Sequence, residues 1–479
     1  MNITELSLTE LSQKFKEGKL TSREITEAFI KNIEAQNDKL NAMVTTTFDL
    51  AREMADAADS RCENDKLLSP LDGMPFTLKD NICTKGIRTT ASSRMLEDFV
   101  PPYDAEVWQK LKAAGVVLLG KTNLDEFTMG GSTETSAWGY TRNPHDLSRV
   151  AGGSSGGSAA AIAANFCAGT IGTDTGGSIR QPAAFCGITG IKVSYGRVSR
   201  YGCMSFASSL DSVGILAKTA EDCAIILQVI AGHDEKDSTT PDKEVPNYSA
   251  NLPKSLNGMR IGIPKEYFKE EGMDSDVLSV MNSTKEILKK MGVELVDISL
   301  PHTKYAVPIY YIVAPCEASA NLARFDGIRF GPKIDGKTLD EIYTKARSYG
   351  FGDEVKRRIL IGTYALSAGY YNAFYRKAQK VRTLVKQDFE NAFEEVDAIL
   401  TPADPSVAFK AGDGYSNPLK MYLEDIFVAP ASISGICGIS TPIGKNKENL
   451  PIGAQILCPA FKETLALQIA NQIEKEIKD

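Results

Sequence analysis

Two clusters of serine and glycine stand close together in the first half of the chain: G-G-S-S-G-G-S at 152–158 and G-T-D-T-G-G-S-I-R at 172–180. Glycine lets the backbone approach a ligand closely and aim several N–H groups at one spot. A serine hydroxyl beside such groups can attack a carbonyl while they hold the oxygen that becomes negative. The pattern is that of an acyl-transfer site. The competing structural reading is a pair of tight turns around helix ends, so the argument depends on what could activate the serine.

Histidine is a poor candidate. G-S-S-G-G at 153–157 fits the G-x-S-x-G elbow of Ser-His-Asp hydrolases with Ser155 as nucleophile. The chain has three histidines, His145, His233 and His302, and none follows an acid late in the sequence as that arrangement needs. A nucleotide site is also excluded on physical grounds. G-V-V-L-L-G-K-T at 115–122 matches the phosphate-loop letters. Its middle residues, Val116 to Leu119, read as a buried strand rather than a bend that curls around phosphate. A lysine base remains. Lys79 ends the apolar run P-F-T-L at 75–78, so a strand can carry it into the interior. Burial lowers a lysine pKa by several units from about 10.4. Taken alone, Lys79 reads as a solvated surface lysine; its combination with the serine clusters favours the base.

The elements that must position these residues are legible at short range. T-S-R-E at 21–24 is a capping box, followed by Ile25, Phe29 and Ile33 at helical spacing. Helices are expected over 48–58, 107–114, 158–166, 275–291 and 369–393, and strands over about 75–79, 116–119, 259–263 and 396–400. Alternating strands and helices imply an α/β fold with a largely buried sheet. No linker or repeat divides the 479 residues, so one domain is expected: a helical segment over 1–60, a core with the serines over 61–240, and a remainder over 241–479. The net charge of -7 argues against broad nucleic-acid binding by this chain alone. The nine scattered cysteines form no C-x-x-C pair and imply free thiols in a reducing compartment. The N-terminus M-N-I-T-E-L-S-L-T-E lacks the basic and apolar regions of a signal peptide, so a cytoplasmic location is expected.

L-K-D-N at 78–81, G-G-S-S-G-G-S at 152–158 and D-T-G-G-S-I-R-Q-P-A-A-F-C-G at 174–187 together resemble the amidase signature family. The resemblance implies the α/β amidase signature fold, a central mixed, largely buried sheet flanked by helices on both faces. It implies a Ser-Ser-Lys triad: Ser178 as nucleophile, Ser154 as bridging serine on a cis peptide, Lys79 as base. It implies an oxyanion site at the backbone N–H groups of Thr175, Gly176, Gly177 and Ser178. The later segments S-Y-G-R-V-S-R-Y-G at 194–202, N-L-A-R-F-D-G-I-R-F-G at 321–331 and G-T-Y-A-L-S-A-G-Y-Y at 362–371 are similar to one branch, the glutaminase subunits of tRNA-dependent amidotransferases. That branch implies hydrolysis of glutamine to glutamate and ammonia. It also implies two partners in a heterotrimer, the B and C subunits. The larger companion holds the misacylated tRNA and uses ATP and Mg, and the small one ties the other two together. No cofactor or metal is expected in this chain. The alternative is a stand-alone amidase acting on other small amides.

Free glutamine carries a carboxylate and an ammonium, so a selective pocket needs one cation and one anion. The resemblance points to Arg358 for the carboxylate, where a planar fork suits two oxygens, and to Asp425 for the ammonium. Arg357 beside Arg358 leaves that register open by one, and both could equally be a solvated helix face. Tyr310 or Tyr311 is expected to line the pocket, and Met129 and Gly130 to offer main-chain contacts.

Overall fold

The computed structural model describes residues 2–269, 272–413 and 424–478. The strands, in chain order, are β1 (Met43–Thr46), β2 (Pro75–Lys79), β3 (Val117–Thr122), β4 (Arg142–Asn143), β5 (Asp146–Val150), β6 (Gly169–Asp174), β7 (Thr189–Lys192), β8 (Ser212–Ala217), β9 (Arg260–Pro264), β10 (Glu294–Ile298), β11 (Ala398–Pro402), β12 (Cys437–Lys445) and β13 (Pro451–Cys458). All but the β4–β5 hairpin join one sheet in the order β1-β3-β2-β6-β8-β7-β12-β13-β11-β9-β10. The sheet is mixed: β2 runs parallel to β3 and β6, and β9 parallel to β10 and β11. The pairs from β6 through β8, β7, β12 and β13 to β11 are antiparallel. Strands from both halves of the chain meet at the β7–β12 pair.

The central strands β2, β3, β6, β7 and β8 are buried along their whole length. This is why they read as continuous apolar or small-residue runs rather than as alternation. Thr21 caps the helix Ser22–Leu40 through the capping box that the sequence announces. The segment 115–122 is loop and then strand. Lys121 lies within β3, with its Nζ donating to the Ile82 carbonyl at 2.6 Å and to Thr89 Oγ1 at 2.9 Å, so it builds no phosphate cradle. The helix expected from Gly369 begins six residues later, at Tyr375, and runs to Glu395. The residues before it form turns of mostly exposed aromatic side chains, which helical spacing alone does not distinguish from a helix face.

Two large apolar cores, with a small third cluster at Val150, Phe185 and Ala408, organise the described residues. The larger packs helices such as Ser22–Leu40, Gly156–Ala163, Ala220–Ile230 and Glu463–Lys478 against the sheet. The second lies under the helices Ala306–Asn321, Asp353–Leu366 and Tyr375–Glu395, and includes Phe127, Met129, Phe206 and Tyr310. The helix Gly156–Ala163 is made of glycine, serine, alanine and one isoleucine, and every residue through Ile162 is buried. Small side chains let it run through the interior beside β2, β3, β6 and β8. No helix among the described residues is long and apolar enough to cross a membrane.

Candidate active site

Three element ends converge. Lys79 is the last residue of β2, Asp174 the last of its parallel neighbour β6, and Ser154 and Ser155 precede the small-residue helix. Pockets at the carboxyl ends of parallel strands are the usual place for ligands in α/β sheets. Lys79 is fully buried. Its Nζ lies 2.7 Å from Ser154 Oγ, 2.9 Å from Ser155 Oγ and 3.0 Å from Thr173 Oγ1. Burial lowers its pKa to about 7, although the carboxylates of Asp125, Asp174 and Asp211 pull the other way. A large fraction of the amine is therefore uncharged at neutral pH, the state in which it accepts a proton.

The two adjacent serines differ. Ser155 Oγ donates to the Thr173 carbonyl at 3.0 Å and is locked between β6 and the lysine. Ser154, which follows a cis peptide bond, presents its hydroxyl to Lys79. Ser178 sits in the turn between β6 and the helix Arg180–Cys186 and is 7% exposed, against 0% for Ser154. Its carbonyl accepts from the Ser155 N–H at 3.1 Å, which ties the two serine loops together. The Ser178 hydroxyl has no hydrogen-bond partner among the described residues. The histidines lie elsewhere: His145 meets the Cys186 carbonyl, His233 Thr240, and His302 Asp388.

The glycine turn is shaped by a carboxylate that sequence reasoning passed over. Asp174 accepts from the N–H groups of Gly177 at 2.9 Å and Ile179 at 3.1 Å, and it pairs with buried Arg180. Burial pushes its carboxyl up, but Arg180 and these hydrogen bonds outweigh it and hold the pKa at about 2. Gly177, expected among the oxyanion donors, therefore spends its N–H on Asp174. The N–H groups of Thr175, Gly176 and Ser178 have no acceptor among the described residues, while the Thr175 hydroxyl donates to Asp211 at 2.7 Å. The signal was present in D-T-G-G-S-I-R: an acid and a base flanking a glycine turn, close enough to pair.

At the other end of the site the structure selects between neighbours. Arg358, on the helix Asp353–Leu366, is 2% exposed, whereas Arg357 points outward and pairs with Glu354. Arg358 Nε also donates to Glu354, at 2.7 Å, and its guanidinium lies over the rings of Phe206 and Tyr311 at 5.5 and 5.3 Å. The Tyr311 hydroxyl donates to Asp425 Oδ2 at 2.6 Å, so Tyr311 bridges the cation and the anion. Burial raises Asp425 to about 7 against the pull of Tyr311 and Arg358. Tyr310 meets Tyr311 edge to face and lies against Gly176, where a Cβ would fall 2.5 Å from its ring. Both tyrosines thus border the site, one at the glycine turn and one at the charge pair.

Met129 is buried; its N–H donates to the Glu126 carbonyl and its carbonyl accepts from Thr135 Oγ1 at 3.3 Å, which leaves one lone pair of that carbonyl for a main-chain contact. Gly130 is half-buried, with Asp125 so close that a Cβ would lie 2.2 Å from Oδ1. Asp125, another residue not expected from the sequence, is buried, accepts from Ser132 N–H and Thr135 Oγ1, and packs against Gly153. It joins the 129–132 loop to the loop that carries Ser154.

The chain is similar to known amidases and amidotransferase subunits along nearly its whole length. The amidase family profile matches residues 24–467. The A subunit of glutamyl-tRNA(Gln) amidotransferase from Koribacter versatilis (strain Ellin345) is 52% identical over 475 residues, covering 99% of both chains. The crystal structure of the corresponding glutamyl-tRNA(Gln) amidotransferase chain from Thermotoga maritima superposes with a TM-score of 0.82 at 38% identity, covering 99% of this chain and 95% of that one. The native peptide amidase of Stenotrophomonas maltophilia superposes with a TM-score of 0.83 at 29% identity, covering 99% of this chain and 97% of that one.

Proposed function

The chain belongs to the amidase family, and on that footing we propose that it is the glutaminase subunit of a tRNA-dependent amidotransferase. It hydrolyses glutamine and supplies ammonia to convert Glu-tRNA(Gln) to Gln-tRNA(Gln), the choice between this acceptor and Asp-tRNA(Asn) lying with the partner that holds the tRNA. The observation that carries the reading is the buried Lys79 amine, lowered to about 7 and 2.7 Å from Ser154 Oγ.

In this reading neutral Lys79 takes the Ser154 proton as Ser154 takes that of Ser178. Ser178 Oγ attacks the side-chain amide carbon, and the carbonyl π pair moves onto oxygen. The N–H groups of Thr175, Gly176 and Ser178 receive that charge; losing one such donor typically costs about 3–4 kcal/mol. Collapse breaks the C–N bond, the relayed proton goes to the leaving nitrogen, and ammonia departs. Water then attacks the acyl-enzyme through the same relay in reverse, releasing glutamate and the Ser178 hydroxyl. Catalytic hydrogen bonds often close only in the substrate complex, which fits a Ser178 hydroxyl left open beforehand.

Arg358 and Asp425 provide the two opposite charges that an α-amino acid requires, joined by Tyr311. This favours glutamine over simple amides, the substrates of the alternative stand-alone amidase. The chain works within a complex. Its finer composition is a heterotrimer with the B and C subunits, in which the tRNA-holding companion uses ATP and Mg while this chain carries no cofactor. The setting is the cytoplasm. In the assembled complex, Ser178→Ala abolishes glutamine-driven amidation and leaves amidation driven by ammonium chloride intact. Failure of the variant complex with ammonia as well would overturn the division of labour.

A further inference from the structure

The helix that turns Arg358 inward has an outer face that no described residue covers. Leu360 is 70% exposed, Tyr364 53% and Ile361 40%, and these residues share one side of the helix at i, i+3 and i+4 spacing. The turn after it continues the surface. Tyr364 stacks on Tyr370 at 4.4 Å, both rings approach Phe374, and Tyr371 approaches Tyr375 at the start of the next helix. All of Tyr364, Tyr370, Tyr371 and Phe374 are exposed. A contiguous apolar and aromatic patch of this kind is unusual on a surface facing only water.

Its charge is equally one-sided. From Lys356 to Gln387 there are eight Lys and Arg and no Asp or Glu, in a chain whose net charge is -7. Arg357, Arg376, Lys377 and Lys380 are exposed around the aromatic turn. We propose that this face docks another protein of the complex, one whose contact surface is apolar at its centre and carboxylate-rich at its rim. An aromatic and aliphatic centre with a charged rim is the anatomy of a protein interface. A second copy of this chain would set like charges against each other. RNA would use the basic rim but leave Leu360 and Ile361 unmatched, and the rings stack on one another instead of standing apart to receive bases.

Position gives the surface a consequence. Gly362 presses the same helix onto Ala306–Asn321, where a Cβ would lie 2.0 Å from the Pro315 carbonyl, and that second helix carries Tyr310 and Tyr311. The docked partner therefore rests on the helix pair that holds the Arg358–Tyr311–Asp425 cluster.

This inference rests on the reading of the chain as one member of an amidotransferase complex. The test measures the affinity of the purified chain for its co-expressed companion subunits at low and high salt, with basal glutaminase activity of the chain alone as control. Leu360→Ser with Tyr364→Ser weakens association at least about 30-fold at either salt, as loss of central anchors does. Arg376→Glu with Lys377→Glu weakens it about 10-fold at low salt, and the difference shrinks at high salt because rim charges are screened. Both variants keep the basal activity. Unchanged companion affinity in both variants overturns the surface while leaving the functional reading in place. So does a loss confined to tRNA binding, or a dimer of this chain that the variants dissociate with companion affinity intact. A wild-type chain with neither glutaminase activity nor companion binding overturns the reading itself, and the surface with it.

Discussion

The two ends of the site are built in different ways. The lysine–serine end comes from the ends of adjacent buried strands and a helix of small residues, within 79–178, and its geometry is fixed largely by backbone. The charge-pair end comes from helices and a turn between 310 and 425, where three side chains, Arg358, Tyr311 and Asp425, hold one another. At the first end the protein tunes a proton affinity by removing water. At the second it balances two opposite charges against burial. Chemistry should therefore fail at one end and recognition at the other, and mutations can separate the two.

The largest effect belongs to Lys79→Ala. It removes the base while Ser154 and Ser178 remain, and kcat for glutamine falls about 10^4-fold, at the upper end of what a positioned base contributes. Steady-state assay on folded variant protein checks this; a loss under tenfold would transfer the role to another group. Asp174→Asn comes next. It keeps the shape of the side chain but weakens the contacts that hold Gly177, Ile179 and Arg180. If Asp174 sets the direction of the remaining donors, kcat falls about 10^2-fold with little change in KM. An equal rise in KM would place Asp174 in binding instead.

Arg358→Ala sharpens the contrast from the recognition side. Loss of one charge-assisted hydrogen-bonding partner costs about 1.5–3 kcal/mol, or roughly 10- to 100-fold. It should raise KM for glutamine by that factor while sparing hydrolysis of a simple aliphatic amide. Arg357→Ala, on the outward side of the same helix turn, should do neither. Equal losses on both amides would mean that Arg358 supports the fold of the site rather than the substrate carboxylate.

How much of this was legible in the sequence follows the same division. Pro75–Lys79 announces itself as a strand because an apolar run must be buried, and the serine–glycine clusters announce close backbone approach. Local signals thus put Lys79 at a strand end and marked the two serine–glycine clusters, while the choice of Ser154 and Ser178 within those clusters came from the family resemblance. The capping box at Thr21 is legible in the same local way, and so is the strand expected over 116–119, which in the structure runs on as Val117–Thr122. The Arg358–Asp425 pair had no local signal. Its partners are separated by 67 residues (358 to 425) and by two of the described elements, Tyr375–Glu395 and Ala398–Pro402, and without the family resemblance a surface helix face was the better reading. Asp174 lay inside a recognised motif but went unassigned, because letters do not say which N–H a carboxylate will take. The missed turn before Tyr375 reflects an aromatic-rich stretch whose spacing mimics a helix.

Titration gives the finest separation, because burial brings both Lys79 and Asp425 near 7 from opposite directions. Burial lowers the amine, which must be neutral to act, so kcat rises as pH climbs through about 7 and levels above it. Burial raises the carboxyl, which must be ionised to hold an ammonium, so KM falls over the same range. Tyr311→Phe isolates the second process. It removes the hydrogen bond that favours the carboxylate, so Asp425 titrates at higher pH. The fall in KM then moves upward in pH, and KM at neutral pH rises only a few-fold, consistent with a single hydrogen bond worth about 1 kcal/mol net. The kcat profile, set by Lys79 at the far end, stays where it was. Should the kcat inflection move together with that of KM, the two ends would be electrostatically coupled, and Tyr311 would belong to the proton relay as much as to the substrate pocket.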